Sequence, residues 1–543
     1  MRVWNGAFSC PNDICFVPVV SQGRQHVGFQ WKPRLTSCSF VGCSGFRESR
    51  IEGSGKRWCP LVSTKKRTGI WTPFMSSAQV QTTKETEDKS WLQSVLDCRD
   101  VDFGQLGATA LQSLRREAEE ELTTRLKLPG RKDELWRFTN LRNLFSARFK
   151  SSTHRVEKPF LESFFERDVP SQQVVLVDGV FDPSLSNLSN IPDQVFIGSV
   201  TKLDEERQRW IYELTKKGET GIKETNIFAA VNLASFRDIT VIWIPRDISL
   251  PECLHLCCCS TTSSDSSFYG ISHPRLAVVV EGGSHVKILQ HHFGTSGGYL
   301  DNYATSVSVG DSATLEYYVV NECPKDALCL GSLNAQLEQY STFRFRLLSV
   351  GSRVGRLTMT TNFSGRESNA LLHGLSVANE DRTLDFHSFI DHSIPSCRSE
   401  QLQRNLAADR SQCVFRGLVK IRREARSTCA HQLCRSMLLS NRAQTKTMPM
   451  LEIANDEVEC SHGATVAEIE EDELFYLLSR GISEWDARVL LVSGFALDLL
   501  KEFPFPSIVE RTENLIAQVV NDSREDDTKQ VDTVEQQEWD MTT

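Results

Sequence analysis

The sequence has no long apolar run and no excess of positive charge. No uninterrupted stretch of about 18 or more apolar residues occurs, so the sequence predicts no membrane-spanning helix. The 543 residues include 61 Lys and Arg against 70 Asp and Glu, which gives a net charge of −9. Sequence-independent binding of nucleic acid needs a dense basic surface that displaces counterions, so this charge balance argues against nucleic acid as a partner.

Motifs for nucleotides, zinc fingers and disulfide frameworks are also missing. The sequence has no Gly-x-x-x-x-Gly-Lys-Ser/Thr loop and no strand-linked Gly-x-Gly-x-x-Gly, so it predicts no ATP or dinucleotide site of its own. None of the 17 cysteines forms a Cys-x-x-Cys pair. We expect most of the 12 cysteines after residue 75 to be small buried thiols.

Charge is distributed unevenly along the chain. Residues 1–75 hold 11 Lys and Arg, three acids and eight serines, a composition typical of an organelle transit peptide, with a disordered basic tail as the alternative. Composition alone does not separate a chloroplast from a mitochondrial address. Residues 521–543 hold eight acids and two bases, which predicts an acidic disordered tail.

Hydrophobic patterning divides the rest of the chain into three parts. Residues 76–225 mix helical periodicity with short strands, which predicts an N-terminal helical and mixed region. Residues 226–465 consist of short apolar or alternating runs with Gly, Asp, Ser or Asn breaks roughly every ten residues, typical of an all-β region. A sandwich, a barrel and a β-helix all stay open, because no strict repeat period is present. Residues 466–520 show helix start and stop signals and predict C-terminal helices.

The segment with the richest chemistry is Met450-Leu-Glu-Ile-Ala-Asn-Asp-Glu-Val-Glu-Cys-Ser-His-Gly-Ala-Thr465. Alternate residues of a strand share a face, so Cys460 and His462 are predicted to be neighbours. A thiolate and an imidazole both bind iron, copper or zinc, whereas the alternative is a buried cysteine beside a partly exposed histidine. His291 and His292 have no third ligand at a suitable spacing, which predicts a surface pair.

Several separated segments resemble the SufD family of iron–sulfur cluster assembly proteins, in that family's order. Gly130-Arg-Lys-Asp-Glu-Leu-Trp-Arg-Phe-Thr139 resembles the family's N-terminal signature, although Leu135 departs from it. Ser272-His-Pro-Arg275 and Cys413-Val-Phe-Arg-Gly417 are similar to family strands. The most specific match is Cys460-Ser-His-Gly-Ala-Thr465 followed by Leu474-Phe-Tyr-Leu-Leu-Ser-Arg-Gly-Ile482.

The resemblance implies a mainly β fold: a right-handed parallel β-helix core between N-terminal and C-terminal α-helical regions. It implies a non-catalytic scaffold subunit that forms a heterodimer with the paralogue SufB and docks the SufC ATPase, so that ATP is used only through SufC. It also implies the chloroplast or plastid stroma, with the mitochondrion as the alternative. A SufB-type cluster scaffold is disfavoured, because SufB-like chains have Glu-His-Glu-Ala-Thr at this point. A structural adaptor without a metal role is the other alternative.

The resemblance also assigns roles to particular residues. His462 matches the family histidine at the SufB–SufD interface, where a transient iron–sulfur cluster is shared with SufB, and Cys460 matches the adjacent family cysteine. No residue is assigned a catalytic role. Cys429 and Cys434 lie where the family does not typically have cysteine, so no role is transferred to them. The residues expected to dock SufC are Leu474, Phe475, Tyr476, Arg480 and Gly481.

Overall fold

The computed structural model describes residues 90–98, 109–124, 128–130, 132–152, 156–164, 172–222 and 226–522. The predicted transit peptide and all but the first two residues of the predicted acidic tail lie outside them. Within these residues, none of the helices is both long and apolar enough to cross a membrane. The helices are α1 (90–97), α2 (Thr109–Thr124), α3 (Arg142–Ser146), α4 (Lys158–Phe164), α5 (Glu205–Ile222), α6 (Ile227–Ser235), α7 (Glu471–Ser479), α8 (Glu484–Leu500) and α9 (506–522).

The strands of the described residues run from the N-terminal region to the start of α7. They are β1 (Phe149–Ser151), β2 (Gln173–Val177), β3 (Val180–Phe181), β4 (Phe196–Ser199), β5 (Thr240–Ile244), β6 (Ser249–Ser260), β7 (Tyr269–Ser272), β8 (Arg275–Val280), β9 (His285–Gly294), β10 (Tyr299–Val309), β11 (Thr314–Asn321), β12 (Leu328–Leu337), β13 (Thr342–Ser349), β14 (Val354–Phe363), β15 (Asn369–Ala378), β16 (Thr383–His392), β17 (Arg398–Ala407), β18 (Gln412–Ile421), β19 (Thr428–Leu438), β20 (Gln444–Ile453) and β21 (Val458–Ala467).

These strands form two sheets, and successive strands alternate between them. The 11-stranded sheet ends in the order β14, β16, β18, β20, and the 10-stranded sheet ends in the order β15, β17, β19, β21. Neighbouring strands in this part are all parallel, so each coil adds one strand to each sheet. The result is a parallel β-solenoid of about seven turns with helices before and after it. The predicted β-helix core is confirmed.

The coils differ in length, which explains the missing repeat period. Paired residues in successive coils of the 11-stranded sheet are 26 to 32 residues apart: Leu300, Leu328, Val354, Thr383, Gln412 and Gln444. The strands themselves keep eight to eleven residues, so the corners between them take up the variation.

The three largest apolar clusters among the described residues hold the solenoid and its helices together. The first lies between the two sheets and includes the neighbouring rings of Phe345, Phe386 and Phe415. The second lies under α1, α2, α5 and α6 on the outer face of the 11-stranded sheet. The third lies under α8 and α9 on the outer face of the 10-stranded sheet. A strand that is buried on both faces has a continuous apolar run instead of alternating apolar and polar residues, and such runs occur in the sequence of the β region.

One part of the predicted β region is helical. Ile227–Ser235 form α6, and all nine of its residues are buried. The Asn226 side chain caps this helix by accepting a hydrogen bond from the Phe228 backbone N–H. A helix that is buried all round has no polar face, so its sequence lacks the amphipathic period by which helices are predicted.

The segment that resembles the family's N-terminal signature anchors the N-terminal region to the solenoid. Trp136 is buried, and the Arg356 guanidinium of β14 lies over its ring at 3.6 Å from the centroid. Arg356 also donates to the Leu135 carbonyl at 2.8 Å and pairs with Asp385 of β16, with 2.8 Å between Nη1 and Oδ2. This segment therefore packs as part of the fold, with its aromatic ring inside.

Candidate functional site

The solenoid ends in two edge strands, β20 and β21, which we call the open end. Each is the terminal strand of its sheet, and within the described ranges no strand pairs with its free edge. Such an edge presents a row of backbone N–H and C=O groups that can pair with another chain. The core is also uncovered here, because Ile453 is 41% exposed and Val466 is 52% exposed.

Cys460 and His462 both lie on β21 at the open end. Their partners on β19 are Ala430 and Gln432, which are buried, so both side chains are on the interior side of the last coil. Cys460 is half-buried against the solenoid core, whereas His462 is exposed. No side chain in the described part of the chain hydrogen-bonds the His462 imidazole, which leaves it available to a ligand.

The Cys460 thiol is less ready to bind a metal than the His462 imidazole. Burial, with smaller contributions from the neighbouring Cys429 and Glu459, raises the pKa of Cys460 to about 11. The thiol is therefore protonated at neutral pH in the isolated chain, and a metal ion must displace its proton before the sulfur can bind. Of the two predicted ligands, His462 is the more accessible.

A second Cys-x-His pair lies on the neighbouring strand β19, where sequence reasoning assigned no role. The Cys429 Sγ lies 3.2 Å from the His431 Nε2, and the His431 Nδ1 lies 2.7 Å from the Ser461 Oγ. In the ladder, Cys429 of β19 pairs with Glu459 of β21, which is the residue before Cys460. Because a shift of one residue reverses the face, this pair is on the outer side of the sheet. The signal that could have found it is the repeated Cys-x-His spacing.

The other cysteines and two of the histidines are interior residues. Eight of the 12 cysteines after residue 75 are buried and all 12 are free thiols, as expected. The prediction of a surface pair at His291 and His292 is wrong, because both are 0% exposed. His291 contacts Glu322 and His292 contacts Asp301, each at 2.7 Å between nitrogen and oxygen. They are buried because β9 is covered on both faces.

Exposed apolar side chains are concentrated on α7 and α8, which we call the helical patch. Phe475 is 71% exposed, Tyr476 is 57% exposed and α7 has no buried residue. The Arg480 guanidinium lies 5.1 Å from the Tyr476 ring centroid. Clustered exposed apolar groups are typical of a protein-binding surface. The helical patch continues with the exposed Leu478, Trp485 and Leu490 and also includes the half-buried Leu474.

The turn between α7 and α8 depends on a glycine with a positive φ angle. Gly481 has φ +83°, in the left-handed region that favours glycine, and a Cβ there would meet nothing within 4 Å. Its N–H donates to the Leu478 carbonyl at 2.9 Å, and the Ser483 side chain caps α8 by accepting from the Asp486 N–H. The two helices of the helical patch are therefore joined by a defined turn.

Comparison with known proteins identifies the family. The model of the SufBD core domain of the SUF iron–sulfur cluster assembly system matches residues 260–495, and the model of the SufBD N-terminal region matches residues 100–256. The protein is 31% identical over 411 residues to the chloroplastic protein ABCI7 of Arabidopsis thaliana, covering 74% of this chain and 85% of that protein. The chain belongs to the SufBD family.

Other relatives in this iron–sulfur cluster assembly family come from bacteria. The SufBD family protein slr0076 of Synechocystis is 28% identical over 415 residues, covering 74% of this chain and 90% of that protein. The assembly protein SufD of Escherichia coli is 24% identical over 387 residues, covering 70% and 88%. The matched SufBD core includes both the open end and α7, so these two surfaces belong to the part shared with the family.

Proposed function

We propose that the protein is a non-catalytic, SufD-type scaffold subunit of a complex that assembles iron–sulfur clusters. The observation that carries the proposal is the open end, where two edge strands lack partners and His462 is exposed without a hydrogen bond from the described residues. Family membership and the similarity to Escherichia coli SufD support it.

A SufB-type subunit is the proposed partner at the open end. A second parallel solenoid that stacks on β20 and β21 would continue both sheets at once and satisfy their free backbone groups. It would also bury Ile453 and Val466, which the isolated chain leaves exposed. Pairing through two sheet edges gives a defined register, and that register would place His462 at the seam between the subunits.

The cluster itself is cargo that forms at this seam. His462 would supply an imidazole, and Cys460 a thiolate once iron displaces its proton, while the partner supplies further ligands. Neither chain then provides a complete ligand set alone. A cluster held from both sides is released when the seam opens, which suits transfer to recipient proteins.

The helical patch is the proposed docking surface for a SufC-type ATPase. The chain has no phosphate-binding loop, so the complex would use ATP only through that partner. α8 packs on the outer face of the 10-stranded sheet, and therefore movement of a docked ATPase would reach the solenoid through this helix.

Replacing both Phe475 and Tyr476 with Ser is expected to remove the SufC-type partner from the purified complex while the SufB-type partner stays. Both side chains are more than half exposed, so the substitutions should leave the thermal stability of the chain unchanged. Pull-down of a tagged full chain co-expressed with both partners measures this. Tyr340→Ser, at a half-exposed aromatic outside the helical patch, is the control. If the tagged wild-type chain purifies without either partner, the proposed complex is contradicted.

We also propose that the protein works in the plastid stroma and that residues 1–75 are its transit peptide. The basic, serine-rich composition of that segment and the chloroplastic relative support this. The full chain tagged at its C-terminus should accumulate in chloroplasts, and deletion of residues 1–75 should abolish import. Accumulation of the full chain in mitochondria would contradict the proposal.

A further inference from the structure

A cluster of metal-binding side chains lies inside the solenoid, away from the open end. His292 on β9, Asp301 on β10 and Cys329 on β12 each offer one ligand atom, and these atoms lie within 4.8 Å of one another. His292 and Asp301 are 0% exposed and Cys329 is 2% exposed. β14, β16 and β18 separate β12 from β20, so this cluster is distinct from the site at the seam.

The Asp301 side chain has fewer hydrogen-bond and ion-pair partners than a carboxylate in an apolar core normally needs. Its Oδ2 accepts from the His292 Nδ1–H at 2.7 Å, whereas its Oδ1 has no hydrogen-bond partner. Among the described residues, no Lys or Arg forms an ion pair with it. A buried carboxylate is costly unless it is paired, hydrogen-bonded at both oxygens or bound to a metal.

A hydrogen bond with Gln290 fixes the orientation of the His292 ring. Its Nε2 lies 2.8 Å from the Gln290 Nε2, so the amide N–H donates to the ring nitrogen. The Gln290 oxygen accepts from the Tyr317 hydroxyl at 2.5 Å and from the Thr305 hydroxyl at 3.1 Å, which holds the amide in that orientation. In this arrangement the ring nitrogen that donates is Nδ1, and its acceptor is the Asp301 Oδ2.

We propose that this cluster is a structural zinc site with His292, Asp301 and Cys329 as ligands, and that the neighbouring Cys323 thiol moves in as the fourth. Cys323 is 3% exposed, and its thiol interacts directly with the Cys329 thiol. Two thiolates, one imidazole and one carboxylate complete the tetrahedral set that Zn²⁺ prefers. This mixed sulfur, nitrogen and oxygen set disfavours magnesium and calcium. Full burial of the ligands is typical of a structural site, and the site does not depend on the proposed function.

The protons balance on zinc binding. Both thiols lose a proton to solvent, Asp301 binds as a carboxylate, and the His292 proton moves from Nδ1 to Nε2 as the metal takes its place. The Gln290 amide turns so that its oxygen accepts from Nε2–H, and the hydroxyls of Thr305 and Tyr317 can accept from its nitrogen. The Tyr303 ring, stacked on the imidazole with 3.8 Å between centroids, holds the ring in place.

The metal content of the full chain tests this proposal. The chain purified anaerobically under reducing conditions should contain about one zinc per molecule by mass spectrometry of the metals, and Cys329→Ser and Asp301→Asn should lower it to background. Cys413→Ser, at another fully buried thiol outside the cluster, should keep the zinc, as should His462→Ala. Zinc that is lost in His462→Ala but kept in Cys329→Ser would overturn the proposal.

A second measurement uses only the wild-type chain, so it tests the proposal even if the variants do not fold. Wild-type chain unfolded with a chelator and refolded with Co²⁺ should show the absorption of a tetrahedral cobalt–thiolate centre and a higher melting temperature than the chain refolded without metal. Refolding to the same melting temperature with no such absorption would overturn the proposal. A disulfide between Cys323 and Cys329 in the native chain would overturn it as well.

Discussion

His462→Ala is expected to abolish cluster build-up while the complex with the SufB- and SufC-type partners still assembles. The imidazole is exposed on the last coil and makes no hydrogen bond with the described residues, so its removal leaves no unsatisfied group and should not change folding. A ligand missing from the seam leaves iron with an incomplete set. Anaerobic reconstitution with iron and sulfide, followed by absorption spectra, measures the effect.

The control for this variant is His285→Ala. His285 is an exposed histidine on β9, far along the 10-stranded sheet from β21, and it should keep wild-type cluster formation. A His462→Ala complex that builds as much cluster as wild type would remove the imidazole from the mechanism. In that case the protein would be an adaptor that holds two partners without a metal role.

Asp385→Ala is expected to destabilise the chain by about 3–5 kcal/mol, because it leaves a buried arginine without its counter-charge. Asp385 pairs with Arg356 at 2.8 Å, and it also accepts from the Thr139 hydroxyl, which fastens the N-terminal region to the solenoid. Asp381→Ala is the control: Asp381 pairs with the partly exposed Arg353, and surface pairs contribute about 0–1 kcal/mol. Urea unfolding of both variants measures the difference, and equal midpoints would contradict this account.

The pKa of Asp385 predicts how the stability of the chain depends on pH in acid. Burial by itself would raise the pKa of Asp385, but His387, Arg356 and the hydrogen bonds lower it to about 2. Burial also lowers the pKa of His387, so Arg356 is the cation that matters at neutral pH. An unfolded aspartate has a pKa of about 3.9, so this stabilisation is complete above that pH and is lost as the pH falls towards 2. Asp385→Ala should therefore show a flatter loss of stability with acid than the wild type.

Several features of the fold followed from local sequence. Short strands broken by Gly, Asp and Ser predicted the β region, and acidic helix starts with Gly and Pro stops predicted α7 and α8. Strand periodicity alone placed Cys460 and His462 on one face. The choice of a solenoid over a sandwich came from the resemblance, because corners of variable length remove the repeat period. α6 escaped prediction because it has no polar face.

The sequence by itself determined the family, the strand content and the spacing of the Cys-x-His pairs. Only the tertiary structure decided which face each pair occupies, since Cys429 and Cys460 differ by one position in the ladder. It also decided that His292, Asp301 and Cys329 meet. The physical reason is that parallel coils pair residues that are about 30 positions apart in the sequence. A short stretch of sequence shows neither the corner lengths that set this register nor the helices that cover the outer faces of both sheets.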